Sequence, residues 1–298
     1  MAAQQRTIGS ETVVGFIGTG IMGASMAGHL IRHGCKVLVY NRTKARAEGL
    51  LAQGAIWCDT PREAAERAGL VITMLGYPSD VEHVYLGRDG LLEHAQPGAY
   101  LLDMTTSSPS LAKRIAASAA SKGLHALDAP VSGGDIGARE ARLSIMVGGE
   151  PEAFEAVKPL LEWMGTNVVH QGPAGAGQFT KMCNQITIAS NMIGVSESLA
   201  YAKAAGLDQT TVLRSIGSGA AASWSLTNLA PRVIAGDYAP GFYVKHFVKD
   251  IRIALDSAAE MGLRLPGLAL AQSLYERLEE QGGENEGTQA LYRIIAGE

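Results

Sequence analysis

Lys181 and Asn184 are the residues of this chain best suited to chemistry. They stand three apart behind the run Gly172-Pro173-Ala174-Gly175-Ala176-Gly177, and on a helix that spacing puts an amine and an amide on one face. Hydride addition to a carbonyl builds negative charge on oxygen, and a donor must protonate it. One of the pair could supply that proton while the other orients the reacting group. A lysine near a helix start is ordinarily a solvated surface residue, so the pair needs support from elsewhere in the chain. Ser132-Gly133-Gly134 offers a hydroxyl and backbone N–H groups just after a strand-like run, a nest that can bind a carboxylate without a cation.

A third cluster bears on a cofactor. Val13–Ile17 leads into Gly18-Thr19-Gly20-Ile21-Met22-Gly23, which leads into a helix-like stretch over 24–33. This is G-x-G-x-x-G in the strand–turn–helix setting that gives it meaning. Gly18 permits the tight turn, Gly20 lets the backbone approach a pyrophosphate at the helix N-terminus, and Gly23 allows close helix–strand packing. The second strand ends in Val39-Tyr40-Asn41-Arg42-Thr43. A NAD-selective site commonly has an acid there; this chain has Arg42, which can hold a 2′-phosphate in a planar, charge-assisted grip. Asn41 and Thr43 could add neutral hydrogen bonds. The expectation is NADP(H), with NAD(H) as the alternative.

The elements that must position these residues change character along the chain. Strands are expected at 13–17, 36–40, 70–74, 100–104, 124–127, 143–147 and 167–170, with helical segments between them. Thr60-Pro61-Arg62-Glu63 is a capping box, and Ser108-Pro109 gives a similar helix start. Such alternation predicts parallel βαβ units with helices on both faces. The glycine-rich run at 172–177 reads as flexible punctuation. Beyond it no strand is expected, only helices over about 178–203, 209–216, 244–261, 267–280 and 288–296. The domains are expected at 11–174 and 175–298.

Composition narrows the function classes. The 298 residues suffice for two domains of roughly 100–200 residues each. A net charge of −4 provides no basic field for nucleic acid. No apolar run of about 18 residues could span a bilayer, and residues 1–10 lack a signal-peptide pattern, so a cytoplasmic protein is expected. Cys35, Cys58 and Cys183 are odd in number and widely spaced, as for reduced thiols, and no metal site is expected. The six histidines His29, His33, His83, His94, His125 and His170 form no ligand spacing, and His246 is not expected to catalyse. Charged residues make up only 18%, below the usual ~25%, and the helix beyond 178 carries Ala189, Gly194, Ala200 and Ala202. Both features point to a homodimer or homotetramer assembled through the helical half.

Four ordered motifs carry a family resemblance: Gly-x-Gly-x-Met-Gly at 18–23, Asp128-Ala129-Pro130-Val131-Ser132-Gly133-Gly134, Gly172 through Lys181-Met182-Cys183-Asn184, and Lys249-Asp250-Ile251-Arg252-Ile253-Ala254-Leu255. Over about residues 12–296 the chain closely resembles the 3-hydroxyisobutyrate dehydrogenase family, which includes tartronate semialdehyde reductases. The resemblance implies an α/β Rossmann-type N-terminal domain, an all-α C-terminal domain and an active site between them. It implies that Lys181 is the general acid/base, partly desolvated so that both protonation states are accessible, with Asn184 beside it. It places the substrate's acid group at Ser132, Gly133 and Gly134, and Lys249 near substrate and nicotinamide. It adds cofactor contacts at Met74-Leu75 and Thr105-Thr106, although Gly76-Tyr77-Pro78 sets its proline two places later than the family pattern.

The implied activity interconverts a short 3-hydroxy acid and its semialdehyde. Imine reductases share the architecture but commonly have Asp or Tyr in place of the lysine, and a non-catalytic NAD(P)-binding protein is the other alternative; Lys181 and Asn184 argue against both. The substrate hints diverge. The segments 135–140 and 143–149 look like tartronate semialdehyde reductases, which favours a glycerate-like acid. The apolar segment 218–225, a candidate substrate-side loop, favours a methyl-bearing, 3-hydroxyisobutyrate-like one.

Overall fold

The protein, seen in a computed structural model that describes residues 8–297, divides into two compact units, one ending at Lys181 and the other beginning at Met182. The first unit is built on a nine-stranded sheet: β1 (Val13–Ile17), β2 (Lys36–Tyr40), β3 (Ile56–Trp57), β4 (Leu70–Thr73), β5 (Tyr100–Asp103), β6 (His125–Asp128), β7 (Val131–Ser132), β8 (Leu143–Gly148) and β9 (Gly165–Gly172). The strand order is β3-β2-β1-β4-β5-β6-β8-β7, with β9 alongside β8. Through β6 every pairing is parallel, as the alternation predicts.

Central strands of such a sheet are buried on both faces and therefore read as continuous apolar runs. Alternate residues enter separate cores. Val14, Phe16, Val37, Val39, Leu70 and Ile72 face one; Ile17, Leu38, Val71 and Leu101 face the other. Helix Ile21–Arg32 covers the first face with Met26, Ala27 and Leu30. Helices Pro61–Arg67 and Pro109–Ser121 cover the second. The capping box forms with a one-residue offset: Thr60 Oγ1 accepts from Glu63 N at 3.1 Å, while Glu63 Oε2 accepts from Asp59 N at 3.0 Å.

Beyond β6 the purely parallel expectation fails. β6 and β7 both run antiparallel to β8. Residues 133–142, between β7 and β8, are too few for a parallel crossover, which takes roughly a dozen or more; they hold only the short helix Gly134–Arg139, and the chain doubles back. The two-residue strands β3 and β7 were not expected, because two residues cannot show a periodicity.

The second unit is helical. The helix Ala176–Ala204 runs into it, and Gln209–Ile216, Val244–Glu260 and Pro266–Glu280 follow close to the expected bounds. Two short helices, Trp224–Asn228 and Ala230–Ile234, were not expected, and the last segment divides into a 3₁₀ turn, Thr288–Ala290, and Leu291–Ala296. Its core gathers Ala189, Met192, Phe247, Ile251, Tyr275 and Leu278. Ala189 and Ala202 are buried within the chain itself, so of the small residues read as an assembly face only Gly194 and Ala200 keep exposed surface. Cys35, Cys58 and Cys183 are free thiols. Among the described residues no helix is long and apolar enough to cross a membrane.

Candidate active site

The glycine loop follows β1 at the carboxyl end of the sheet. Gly18 has φ +99°, and a Cβ there would lie 2.2 Å from the Met74 carbonyl oxygen, so glycine is required on both counts. A Cβ on Gly23 would meet the Gly18 carbonyl oxygen at 2.0 Å and the Phe16 ring at 3.1 Å. Its role is therefore to let the helix press on the loop as well as on the strand. Gly20 is different: open space surrounds its Cβ position, and it caps the helix without any side-chain bond. The first-turn N–H groups there have no intrahelical acceptors. Thr19 is buried, its Oγ1 is without a partner, and its N–H donates to Asn41 Oδ1 at 3.1 Å. Ile21 is exposed and Met22 half-buried. An unpartnered buried hydroxyl beside an open, uncapped helix start fits a dinucleotide pyrophosphate.

At the end of β2, Asn41 Nδ2 donates to the Thr43 carbonyl at 2.9 Å, so this amide ties the glycine loop to the next turn. The Arg42 side chain is 80% exposed and reaches Asp80 Oδ1 at 3.3 Å. The guanidinium read as a phosphate grip thus already has a carboxylate beside it, from the helix Pro78–Leu86. Sequence reading missed this partner, 38 residues away.

The ends of β4 and β5 are laced together. Leu75 N donates to Thr105 Oγ1 at 2.8 Å, Thr105 N to Asp103 Oδ1 at 3.1 Å, and Thr73 Oγ1 to Asp103 Oδ1 at 2.7 Å. Burial pushes the Asp103 carboxyl up to about 6, against the pull of those donors and with the nearby Asp128 charge adding to the rise. Met74 contributes the carbonyl beneath Gly18, and Thr106 is half-buried.

From here the network reaches the helix that bears Lys181. Asp128, ending β6, accepts from Gly175 N at 2.7 Å and Gln178 N at 2.8 Å. Burial raises its carboxyl above the ordinary range although these N–H groups pull it down. The buried Gln178 side chain donates to the Thr105 carbonyl at 2.8 Å and accepts from Ser107 N at 2.9 Å. A Cβ on Gly177 would lie 2.4 Å from the Met146 carbonyl, and one on Gly148 would lie 2.6 Å from Asp128 Oδ1. The glycine run read as flexible is therefore, at Gly177, a close contact of the helix start with the sheet. Lys181 follows Gln178 by three residues and is only 6% exposed, so it is not a solvated surface lysine. Ser132 closes β7 opposite Ser144, Gly133 follows with φ +133° as the cap of the short helix, and Gly134, with φ +64°, is that helix's first residue.

In the second unit, Asn184 Nδ2 donates to Gln185 Oε1 at 2.7 Å, and Gln185 Nε2 donates to Asp250 Oδ2 at 2.6 Å. Lys249 Nζ lies 3.0 Å from Asp250 Oδ1, close as an ion pair but off the hydrogen-bonding angle. The Lys249 and Asp250 side chains are 12% and 1% exposed, so this is not a solvated surface pair. Burial lowers the His246 imidazole below its ordinary value, and the Lys249 charge adds to the effect. Gln178, Gln185, Asp128 and Asp250 were not singled out as site residues from the sequence. Asp128 and Asp250 do lie inside quoted motifs, which was the available signal.

Two family models match successive parts of the chain. Residues 13–172 match the family model described as the NAD binding domain of 6-phosphogluconate dehydrogenase. Residues 175–295 match the one described as NAD-binding of NADP-dependent 3-hydroxyisobutyrate dehydrogenase. An uncharacterized oxidoreductase of Bacillus subtilis is 60% identical over 284 residues, covering 95% of this chain and 99% of its own. A probable mitochondrial 3-hydroxyisobutyrate dehydrogenase-like protein of Arabidopsis thaliana is 50% identical, covering 95% and 84%. The 2-hydroxy-3-oxopropionate reductase of Escherichia coli is 39% identical, covering 95% and 96%. Among solved structures, the Mycobacterium tuberculosis 3-hydroxyisobutyrate dehydrogenase with L-serine superposes with a TM-score of 0.89 at 31% identity, covering 96% and 99%.

Proposed function

Since the chain belongs to the β-hydroxyacid dehydrogenase family of NAD(P)-dependent oxidoreductases, we propose that it interconverts a short 3-hydroxy acid, 3-hydroxyisobutyrate-like or glycerate-like, with its semialdehyde. The observation that carries the reading is the burial of Lys181 on a helix start seated by Asp128 and Gln178, one turn ahead of Asn184. A buried amine at a fixed place can give a proton to a developing alkoxide and take it back in the reverse direction.

The dinucleotide is held by the N–H groups around Gly20 and by Thr19, Asn41, Arg42 and Thr43. When bound, its nicotinamide supplies or accepts the hydride. Ser132, Gly133 and Gly134 take the substrate carboxylate through a hydroxyl and backbone N–H groups. Lys181 moves the proton at the substrate oxygen, Asn184 orients the substrate, and Lys249 adds positive charge for the acid group. NADP(H) is the preferred cofactor, by a modest factor, because Arg42 must leave Asp80 to grip a 2′-phosphate and the site is exposed to screening by salt. The protein assembles as a homodimer or homotetramer. Support comes from exposed Tyr201, Leu207, Trp224 and Leu270 in the helical unit, apolar surface that a second copy would cover. A monomeric mass in light scattering at micromolar concentration would remove that part of the reading.

The activity test follows NAD(P)H absorbance with a panel of three- and four-carbon hydroxy acids and semialdehydes, in wild type and in Lys181→Ala. Turnover with at least one pair is expected. In the variant kcat should fall about 10²–10⁴-fold while cofactor binding persists. A variant retaining more than half of wild-type kcat would take Lys181 out of the mechanism.

A further inference from the structure

Asp250 is almost fully buried, at 1% exposed, and its two oxygens face two different residues. Oδ2 accepts from Gln185 Nε2 at 2.6 Å, and Oδ1 lies 3.0 Å from the Lys249 ammonium. Gln185 is equally buried and turns its other end to Asn184. The four residues thus form a chain, Asn184 to Gln185 to Asp250 to Lys249, whose two ends are residues assigned above to substrate. An amide's oxygen and nitrogen are nearly indistinguishable by shape, and its orientation follows from its partners. Here the partners leave no choice. An ionised carboxylate only accepts, so Gln185 must point its Nε2 at Asp250. Its Oε1 then points at Asn184 and can only accept, so Asn184 must offer Nδ2. Asn184 Oδ1 is consequently turned to the opposite side of the amide plane.

We infer that Gln185 and Asp250 are positioning residues for the dehydrogenase reaction: the charge of Asp250, passed through Gln185, sets Asn184 to present an acceptor to a hydrogen-bond donor of the substrate, and the same carboxylate holds Lys249. The inference rests on the reading of Asn184 and Lys249 as substrate-facing residues. It goes beyond that reading by explaining why a fully buried acid and a fully buried amide lie behind them. It also favours a class of substrate. A group such as a hydroxyl, which can donate toward Asn184, matches the imposed orientation, whereas a group that can only accept opposes it.

The logic of donors and acceptors supplies a test that simple destabilisation would not pass. In Asp250→Asn the new amide has one acceptor for two demands. If Oδ1 serves Gln185, an NH₂ group faces the Lys249 ammonium; if Oδ1 serves Lys249, both Gln185 and Asn184 must flip. In Gln185→Glu two carboxylates face each other. The exchange variant Gln185→Glu/Asp250→Asn restores the donor–acceptor order along the chain: the amide of Asp250→Asn donates to the carboxylate of Gln185→Glu, which accepts from Asn184, and its oxygen stays toward the Lys249 ammonium.

The experiment measures kcat and KM on the substrate pair found with the panel, together with NADPH affinity and thermal midpoint, for both single variants and the exchange. Each single variant is expected to lose about 20-fold or more in kcat/KM with NADPH affinity within threefold of wild type. The exchange is expected to recover to within about fivefold of wild type. An exchange variant that folds, binds NADPH and is no better than Asp250→Asn overturns the inference, as does an Asp250→Asn variant with wild-type kcat/KM. If Asp250→Asn does not accumulate as folded protein, Gln185→Leu replaces it, since it cuts the chain but leaves Asp250 with Lys249; wild-type kcat/KM there overturns the inference too. Asn184→Ala is measured alongside. Full activity of that variant sinks the underlying reading of Asn184, whereas loss in Asn184→Ala without recovery in the exchange sinks only the role of Gln185 and Asp250.

Discussion

The backbone N–H of Gln178 donates to Oδ2 of Asp128 at 2.8 Å, and that bond seats the first turn of the helix carrying Lys181 on the carboxyl end of β6. The carboxylate also takes the Gly175 N–H, so one side chain satisfies two of the donors a helix start leaves open. Asp128→Asn turns an NH₂ toward one of these N–H groups. It should destabilise the fold by about 1–3 kcal/mol and lower kcat more than it raises KM, because it displaces Lys181 without touching substrate. Urea unfolding and steady-state kinetics measure both. Unchanged kcat in a destabilised variant would confine Asp128 to stability.

Ser132→Ala tests the carboxylate nest. Loss of a donor to a charged group weakens binding by about 1.5–3 kcal/mol, and a contact made equally in ground and transition states appears in KM. KM for the acid should rise roughly ten- to a hundredfold with a smaller change in kcat. An unchanged KM puts the carboxylate elsewhere.

Arg42 and Asp80 make a paired prediction. Asp80 shares the guanidinium and would repel a 2′-phosphate, so Asp80→Asn should raise the NADP/NAD ratio of kcat/KM and Arg42→Ala should lower it. Each change should be severalfold, since an exposed ion pair contributes roughly 0–1 kcal/mol. A wild type that favours NAD tenfold, or a ratio unmoved by Arg42→Ala, means that Arg42 does not read the phosphate.

Asp103 makes stability depend on pH. Its carboxyl is raised to about 6 in the folded protein, so between about pH 4 and 6 the native state binds more protons than the unfolded chain. Stability then falls as pH rises through that window, by up to about 3 kcal/mol for a shift of this size. Asp103→Asn keeps an acceptor for Thr73 and Thr105 but cannot ionise. The difference in unfolding free energy between variant and wild type should therefore grow in favour of the variant from pH 4 to pH 7. A constant difference would show that Asp103 does not titrate in this range.

What could be read from the sequence was what depends on neighbours along the chain. The glycine loop was legible because Gly18 and Gly23 answer local backbone demands, and β1 and β2 because their apolar runs are long enough to show. Pairings between distant segments were not. Asp80 beside Arg42, Asp128 beneath Gln178 and Gln185 against Asp250 join residues 38, 50 and 65 positions apart, and nothing local says which residue pairs with which. The glycines at 172–177 show the limit most clearly. Glycine signals freedom and close approach alike, and only the position of the Met146 carbonyl decides for close approach at Gly177.

The seating of the Lys181 helix has a consequence for anyone recombining such chains. The glycine run looks like a natural splice point, since an α/β half precedes it and a helical half follows. A chimera joined there would inherit Lys181 from the helical parent but its placement from the other parent. The α/β donor would have to bring a carboxylate at the position of Asp128 and a glycine at that of Gly148, or the transplanted helix would start without its anchor. A cut after Lys181, inside the helix itself, keeps the helix start and its anchor in one parent.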